Sequence, residues 1–136
     1  NDHLGGKVAG LPTDAEWECA CRAGSRAKWC FGDDERALRK FAWCADGDGQ
    51  AHPVGGKEAN AWGLYDMHGN VAEWCEDSYQ EYRSSEPAVD PGSHGGEFRV
   101  VRGGSWGEVA GQTRSAYRVQ SHPENKNDHT GFRAAP

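Results

Sequence analysis

"NAWGLYDMHGNVAEWCED", residues 60–77, is the stretch on which the fold turns. Leu64 and Asp66, then Val71, Glu73 and Cys75, alternate as the residues of short strands do. The "MHGN" between them, Met67 to Asn70, reads as a turn. Large rings (Trp62, Tyr65, Trp74) stand beside glycines (Gly63, Gly69), so bulky core residues and tight backbone turns occur together.

The neighbouring segments support this organisation. In "LPTDAEWECACRAG", residues 11–24, Thr13 followed by Glu16 is a capping box and Gly24 a stop, which predicts one short helix over Asp14–Arg22. Ala15, Cys19 and Arg22 share one stripe of it, Trp17 and Cys21 another. "EFRVVRGGSW", residues 97–106, reads as a strand running into a glycine corner, and "GFRAAP" at the end as a last strand. Residues 83–97 read as an exposed loop. "DGDG" at 46–49 opens like a calcium loop, but its twelfth position is Lys57 rather than Glu, so it reads as a solvated turn.

Composition bounds the class. The chain has 136 residues, enough for one domain with a core. It has no isoleucine and few leucines, which alone would suggest disorder. Six tryptophans and nineteen glycines argue instead for a compact, loop-rich fold built on rings. The net charge of −6, with scattered basic residues, excludes a nucleic-acid-binding face. No apolar run reaches membrane-spanning length. The chain starts at Asn1, as a processed chain or a piece of a longer one does. Five cysteines is an odd number, so at least one is free or pairs elsewhere. Cys30 and Cys44 could bridge, which would favour a periplasmic or extracellular setting. Cys19 and Cys21 fall on different helix faces and make a poor chelate. His52, His68, His94, His122 and His129 lack zinc-motif spacing and read as surface histidines.

Taken in order, "LPTDAEWECACRAG", "NAWGLYDMHGNVAEW", "RVVRGGSW", "RSAYR" and "GFR" resemble the formylglycine-generating enzyme family, the sulfatase-modifying factors. The likeness runs from about Leu11 to Arg133 and covers the C-terminal half of a typical member. It implies an α+β, C-type lectin-like fold, loop-rich, with short helices and small twisted antiparallel sheets. Residues 1–136 would then be the C-terminal portion of such a domain, with an N-terminal segment or companion chain completing it.

The resemblance also says what chemistry to look for. The enzymes of the family oxidise a sulfatase cysteine with copper and oxygen, using a cysteine pair placed just after the "GGS" corner. Thiolates suit Cu(I). Here the first of those positions falls near Glu108, Glu108 and Thr113 supply no thiol, and no cysteine follows Cys75, so no copper is expected. The family's structural calcium, carried over by position, would be held by the Asp66 and Glu73 carboxylates and the Gly69 and Val71 carbonyls, a set that suits Ca²⁺. The alternative is a turn in which Asp66 accepts backbone N–H groups. Arg99, Arg102, Arg114, Arg118 and Arg133 read as framework rather than as an anion clamp.

A second resemblance lies within the first. The retroelement-diversified variable proteins hold exchangeable side chains on a frame like "RGGSW…RSAYR…GFR". The exchangeable positions here would be Gly107, Gly111, Thr130 and the candidate ligand-binding residues Glu108, Val109, Gln112, Tyr117, Val119, Gln120, Ser121, His122, Asn125, Asn127, Asp128 and His129. Adenine randomisation of asparagine codons does not yield Glu or Gln, so Glu108, Gln112 and Gln120 need other template codons. The leading expectation is a non-catalytic module that presents the 107–130 surface to a protein or glycan, since polar loops on a rigid scaffold make binding surfaces. The rival is a formylglycine-generating oxidoreductase.

Overall fold

A computed structural model describes residues 9–81 and 95–136; most of the loop expected over 83–97, and His94, lie outside the described residues. The helix α1 spans Asp14–Arg22, with the bounds its capping box predicts. Glu16 N–H donates to Thr13 Oγ1 at 3.2 Å, and Thr13 N–H to the Glu16 carboxylate at 2.9 Å. At the stop Ala23 takes the left-handed conformation and donates its N–H to Cys19 O, and Gly24 follows it at positive φ. Trp17 and Cys21, one turn apart on the inner face, are buried, while Cys19 is exposed. The two cysteines thus diverge as the helical period requires.

A 3₁₀ turn at Glu35–Ala37 runs into the short helix α2, Leu38–Phe41. Four strands follow: β1 Ala72–Ser78, β2 Arg99–Arg102, β3 Arg118–Ser121 and β4 Thr130–Gly131. They form one sheet in the order β3-β2-β1-β4. The β1/β2 and β2/β3 pairs are antiparallel, with an irregular register between Trp74 and Ser78, but β4 lies parallel to β1. The sheet is therefore mixed, where antiparallel sheets were expected. "GFRAAP" contributes only its first residue to a strand; further on, Ala135 pairs with Gly10.

The strand expected at Leu64 and Asp66 does not form. Asp66 sits at φ 57°, outside extended backbone, and its Oδ2 accepts the Gly55 N–H at 2.8 Å. An aspartate that satisfies a nearby amide makes the turn the better conformation.

Two apolar clusters fill the interior. Trp17, Cys21, Met67, Cys75 and Val100 pack between α1 and the sheet. Trp29, Leu38, Ala42 and Cys44 form the second, with Phe31 stacked on both Trp29 and Phe41. Between them the loops bond to each other. Gly69 N–H donates to Gly103 O and Asn70 N–H to Trp43 O, each at 2.7 Å, and Trp106 N–H donates to Asn70 O at 2.8 Å. The "HGN" turn is thus the point where three distant segments meet, and it compensates irregular backbone that strands would otherwise satisfy.

Buried charge ties the helix to the sheet. Arg102, 1% exposed, bridges the Asp14 and Glu18 carboxylates and lies over the Trp17 ring. Arg118 reaches the same Asp14 at 2.7 Å. Arg99 bonds Glu76 O and Ser78, Arg114 bonds Gly111 O, and Arg133 holds Glu73 and Tyr65 O. All five arginines have framework partners.

Candidate functional site: the loop after the glycine corner

Strand β2 is followed by Gly103 and Gly104, both at positive φ. A Cβ on Gly104 would lie 2.7 Å from Gln112 O, so the chain returns past this corner too closely for any side chain. The loop it launches is locked from inside. Ser105 N–H donates to the Glu108 carboxylate at 2.8 Å, and Ala45 N–H to Glu108 O at 2.9 Å. A 3₁₀ turn at Ala110–Thr113 follows. Thr113 is fully buried; its hydroxyl accepts the Trp29 indole N–H at 3.1 Å and donates to Ala110 O at 2.8 Å. Glu108 and Thr113 therefore act as internal fasteners.

Beneath the loop lies His68, expected on the surface but 1% exposed. Its Nδ1 faces Thr113 O at 2.7 Å and its Nε2 accepts the Cys30 N–H at 3.1 Å. A carbonyl can only accept, so Nδ1 carries the proton and the ring is neutral. Burial pushes its pKa down to about 4, against the raising effect of the Thr113 carbonyl. One ring so joins the 29–32 turn to the end of the candidate loop.

The thiols around it are quiet. Cys21 Sγ lies 3.7 Å from both His68 nitrogens and contacts Ser115 Oγ at 3.5 Å. Burial pushes its pKa up to about 12, that of Cys30 up to about 11, and that of Cys75 well above the ordinary range. Cys44, raised to about 11 by burial and then by Asp46, donates to the Asp46 carboxylate. All five cysteines are free thiols, so Cys30 and Cys44 do not bridge: each sits in its own packing environment. Among the described residues no three His, Cys, Asp or Glu side chains converge as a metal site.

The calcium set divides. Asp66, 6% exposed, has a buried Oδ1 without a hydrogen-bond partner, which suits a cation. Glu73 commits both oxygens: Oε2 takes the Trp17 indole N–H at 2.7 Å and, with Oε1, the Arg133 guanidinium. A calcium ion at this turn would draw on Asp66 and the Gly69 and Val71 carbonyls, with Glu73 shared between the metal, Trp17 and Arg133.

The remaining candidate positions are exposed or half-buried. Val109 is 61% exposed. Gln112 accepts the Val109 N–H and donates to the Tyr117 hydroxyl, so these three form one patch. Val119 and Gln120, on the edge strand β3, are exposed. Ser121 accepts from Asn125, His122 from the Glu124 N–H, and Asn127 from the His129 N–H. His129 pairs with Asp128 and meets the edge of Trp106, whose indole N–H reaches Asp128 O. Trp106 so links the root of the loop to the 122–129 segment.

One feature was invisible in the sequence. A cavity of about 620 Å³ opens between α2 and Val109–Ala110, walled by Leu38, Cys44 and Ala45, with the Arg39–Asp46 pair on its rim. Its walls come from three separate segments with no shared motif, so nothing along the chain brings Leu38, Cys44 and Val109 together.

Residues 6–136 match the sulfatase-modifying factor enzyme 1-like domain. The chain belongs to the sulfatase-modifying factor family. It is 38% identical over 92% of its length to a serine/threonine-protein kinase pkn1 of Chlamydia pneumoniae, spanning 20% of that protein. It is 34% identical to the formylglycine-generating enzyme of Streptomyces coelicolor, over 92% of this chain and 46% of the enzyme. Among solved structures it resembles Treponema denticola variable protein 1, with a TM-score of 0.86 and 38% identity over 93% of this chain and 46% of that one. The fold of this sulfatase-modifying factor chain is thus the α+β, C-type lectin-like one. It spans about a fifth of the kinase and about half of the other two relatives.

Proposed function

We propose that this chain is a non-catalytic member of the sulfatase-modifying factor family, a module that presents the surface of residues 107–130 to a protein or glycan partner. The supporting observation is the state of Glu108 and Thr113. At the positions where the resemblance puts the enzymes' thiols, one side chain caps a backbone amide and the other is a buried hydroxyl tie. Neither is a soft ligand or a nucleophile, and the cysteines whose pKa burial raises are protonated near neutral pH. What faces solvent instead is a mixed set of Val, Gln, Tyr, His and Asn on a stiff frame, the makeup of a binding surface.

The test has two arms. Copper(I) titration with oxygen-consumption measurement on a cysteine-containing sulfatase peptide should show neither tight binding nor turnover; turnover would make the chain an oxidoreductase. Binding to glycan and protein arrays should be lost on Val109→Asp with Tyr117→Ala and kept on Glu58→Ala, an exposed residue outside both the 107–130 segment and the cavity beside Val109.

A second reading, a retroelement-diversified ligand-binding protein, is favoured by the likeness to the Treponema variable protein. A near-copy of the 107–130 coding sequence beside the gene, differing at adenines, would establish it.

A further inference from the structure

We propose that the flank carrying Val54, Trp62, Tyr65 and Phe132 is the seat of a second copy of this chain. These are four of the large apolar residues most open to solvent, at 85%, 57%, 46% and 74% exposure. They come from three distant segments, and hydrogen bonds draw those segments together. Gly55, next to Val54, donates its N–H to Asp66, next to Tyr65. Arg133, next to Phe132, donates to Tyr65 O at 2.7 Å. Trp62 stands on the turn just before Tyr65, which Asn60 closes by accepting the Trp62 and Leu64 N–H groups. Single exposed apolar residues are ordinary, but a group gathered on one flank marks a contact surface.

The chemistry of the flank selects the occupant. Arg133 here is paired with Glu73, and Asp66 is buried. A chain of net charge −6 offers no basic field to recruit a nucleic acid or an anionic surface. The adjoining edge strand β4 is only two residues long, so pairing by sheet extension has little to work with. An apolar, charge-neutral patch is complementary to itself, and a two-fold axis brings the same rings together from both sides. At about 150–250 Å² per aromatic residue, the open parts of the three rings amount to roughly 350 Å² on each chain. Two copies so bring roughly 700 Å² of aromatic surface together, and Val54 with a modest polar rim carries the contact past the ~1,000 Å² of a stable interface.

The consequence deepens the binding reading and rests on it. Phe132 follows β4 and Val119 lies in β3, at opposite edges of the sheet. A pair joined at the β4 edge leaves both loop surfaces free, so the dimer would grip a repetitive partner with avidity.

Sedimentation equilibrium of the purified chain, from micromolar to submillimolar concentration, tests the proposal without any ligand. The expected result is the mass of two chains, falling to that of one in Trp62→Ser/Phe132→Ser with unchanged circular dichroism. Val119→Ser, at the other edge, should leave two. If the double variant misfolds, Val54→Lys reads the same shift. A one-chain mass for the unmodified chain throughout, or a two-chain mass that these substitutions leave unmoved, overturns the proposal. The array measurements above are untouched by that outcome, so the two readings fail separately.

Discussion

Replacing Gly69 by alanine tests whether the "HGN" turn holds the loops together. Gly69 has φ 76°, and a Cβ built on it would run into the Trp43 carbonyl oxygen and lie 2.9 Å from its carbon and 3.2 Å from the Trp43 nitrogen. All three atoms are backbone, so no side-chain rotation relieves the clash. The Trp43 strand of chain must retreat by about 1 Å to reach ordinary contact. That movement strains two short bonds, Asn70 N–H to Trp43 O and Gly69 N–H to Gly103 O. Each is worth about 0.5–1.5 kcal/mol net. The left-handed backbone adds about 1–2 kcal/mol for any residue with a Cβ. The total is about 2–5 kcal/mol, a large part of the 5–15 kcal/mol typical of a domain. Gly63 provides the control. It has a similar φ of 78° but nothing within 4 Å of its would-be Cβ, so Gly63→Ala carries the backbone term alone, about 1–2 kcal/mol. Equilibrium urea unfolding followed by tryptophan fluorescence measures both. Gly69→Ala should cost about 1–3 kcal/mol more than Gly63→Ala; equal losses would refute the close approach at Trp43.

Three further outcomes follow from the same structure. Asp14→Ala leaves Arg102 buried without its main partner and should destabilise the fold by about 3–5 kcal/mol in urea unfolding. His68→Ala strands the Cys30 N–H and the Thr113 carbonyl, each worth about 1–3 kcal/mol when left unsatisfied; hydrogen exchange at Cys30 should speed up more than in α1. With an aromatic disulfide reagent at pH 8, the exposed Cys19 should react at once. Cys21, with a pKa of about 12 and a thiolate fraction of roughly one in ten thousand, should react only on unfolding.

Helix α1 was legible because its determinants are local: Thr13 and Glu16 are three residues apart and satisfy each other's amides. The glycine corner after β2 and the loss of thiols at Glu108 and Thr113 were legible for a similar reason, since positive φ and residue type are properties of single positions. The outward positions from Val109 to His129 could be proposed as a surface from their lack of any apolar period. Glu108 could not be told from its neighbours. Its inward turn depends on the Ser105 amide lying within reach, a consequence of the corner's path.

What the sequence by itself determined was the capped helix, the turn at Gly69 and Asn70, and a frame of rings, arginines and glycines with the family's motifs upon it. Tertiary structure decided the rest. It buried His68, which looks like a surface residue along the chain, by closing the 29–32 turn and Thr113 over it. It placed the short β4 parallel to β1, which no alternation in so short a strand could specify. It tied the segments that carry Val54, Tyr65 and Phe132 to one another. Each of these depends on residues far apart in sequence meeting at hydrogen-bond distance, and the loops set that meeting through bonds to one another rather than through any periodic pattern.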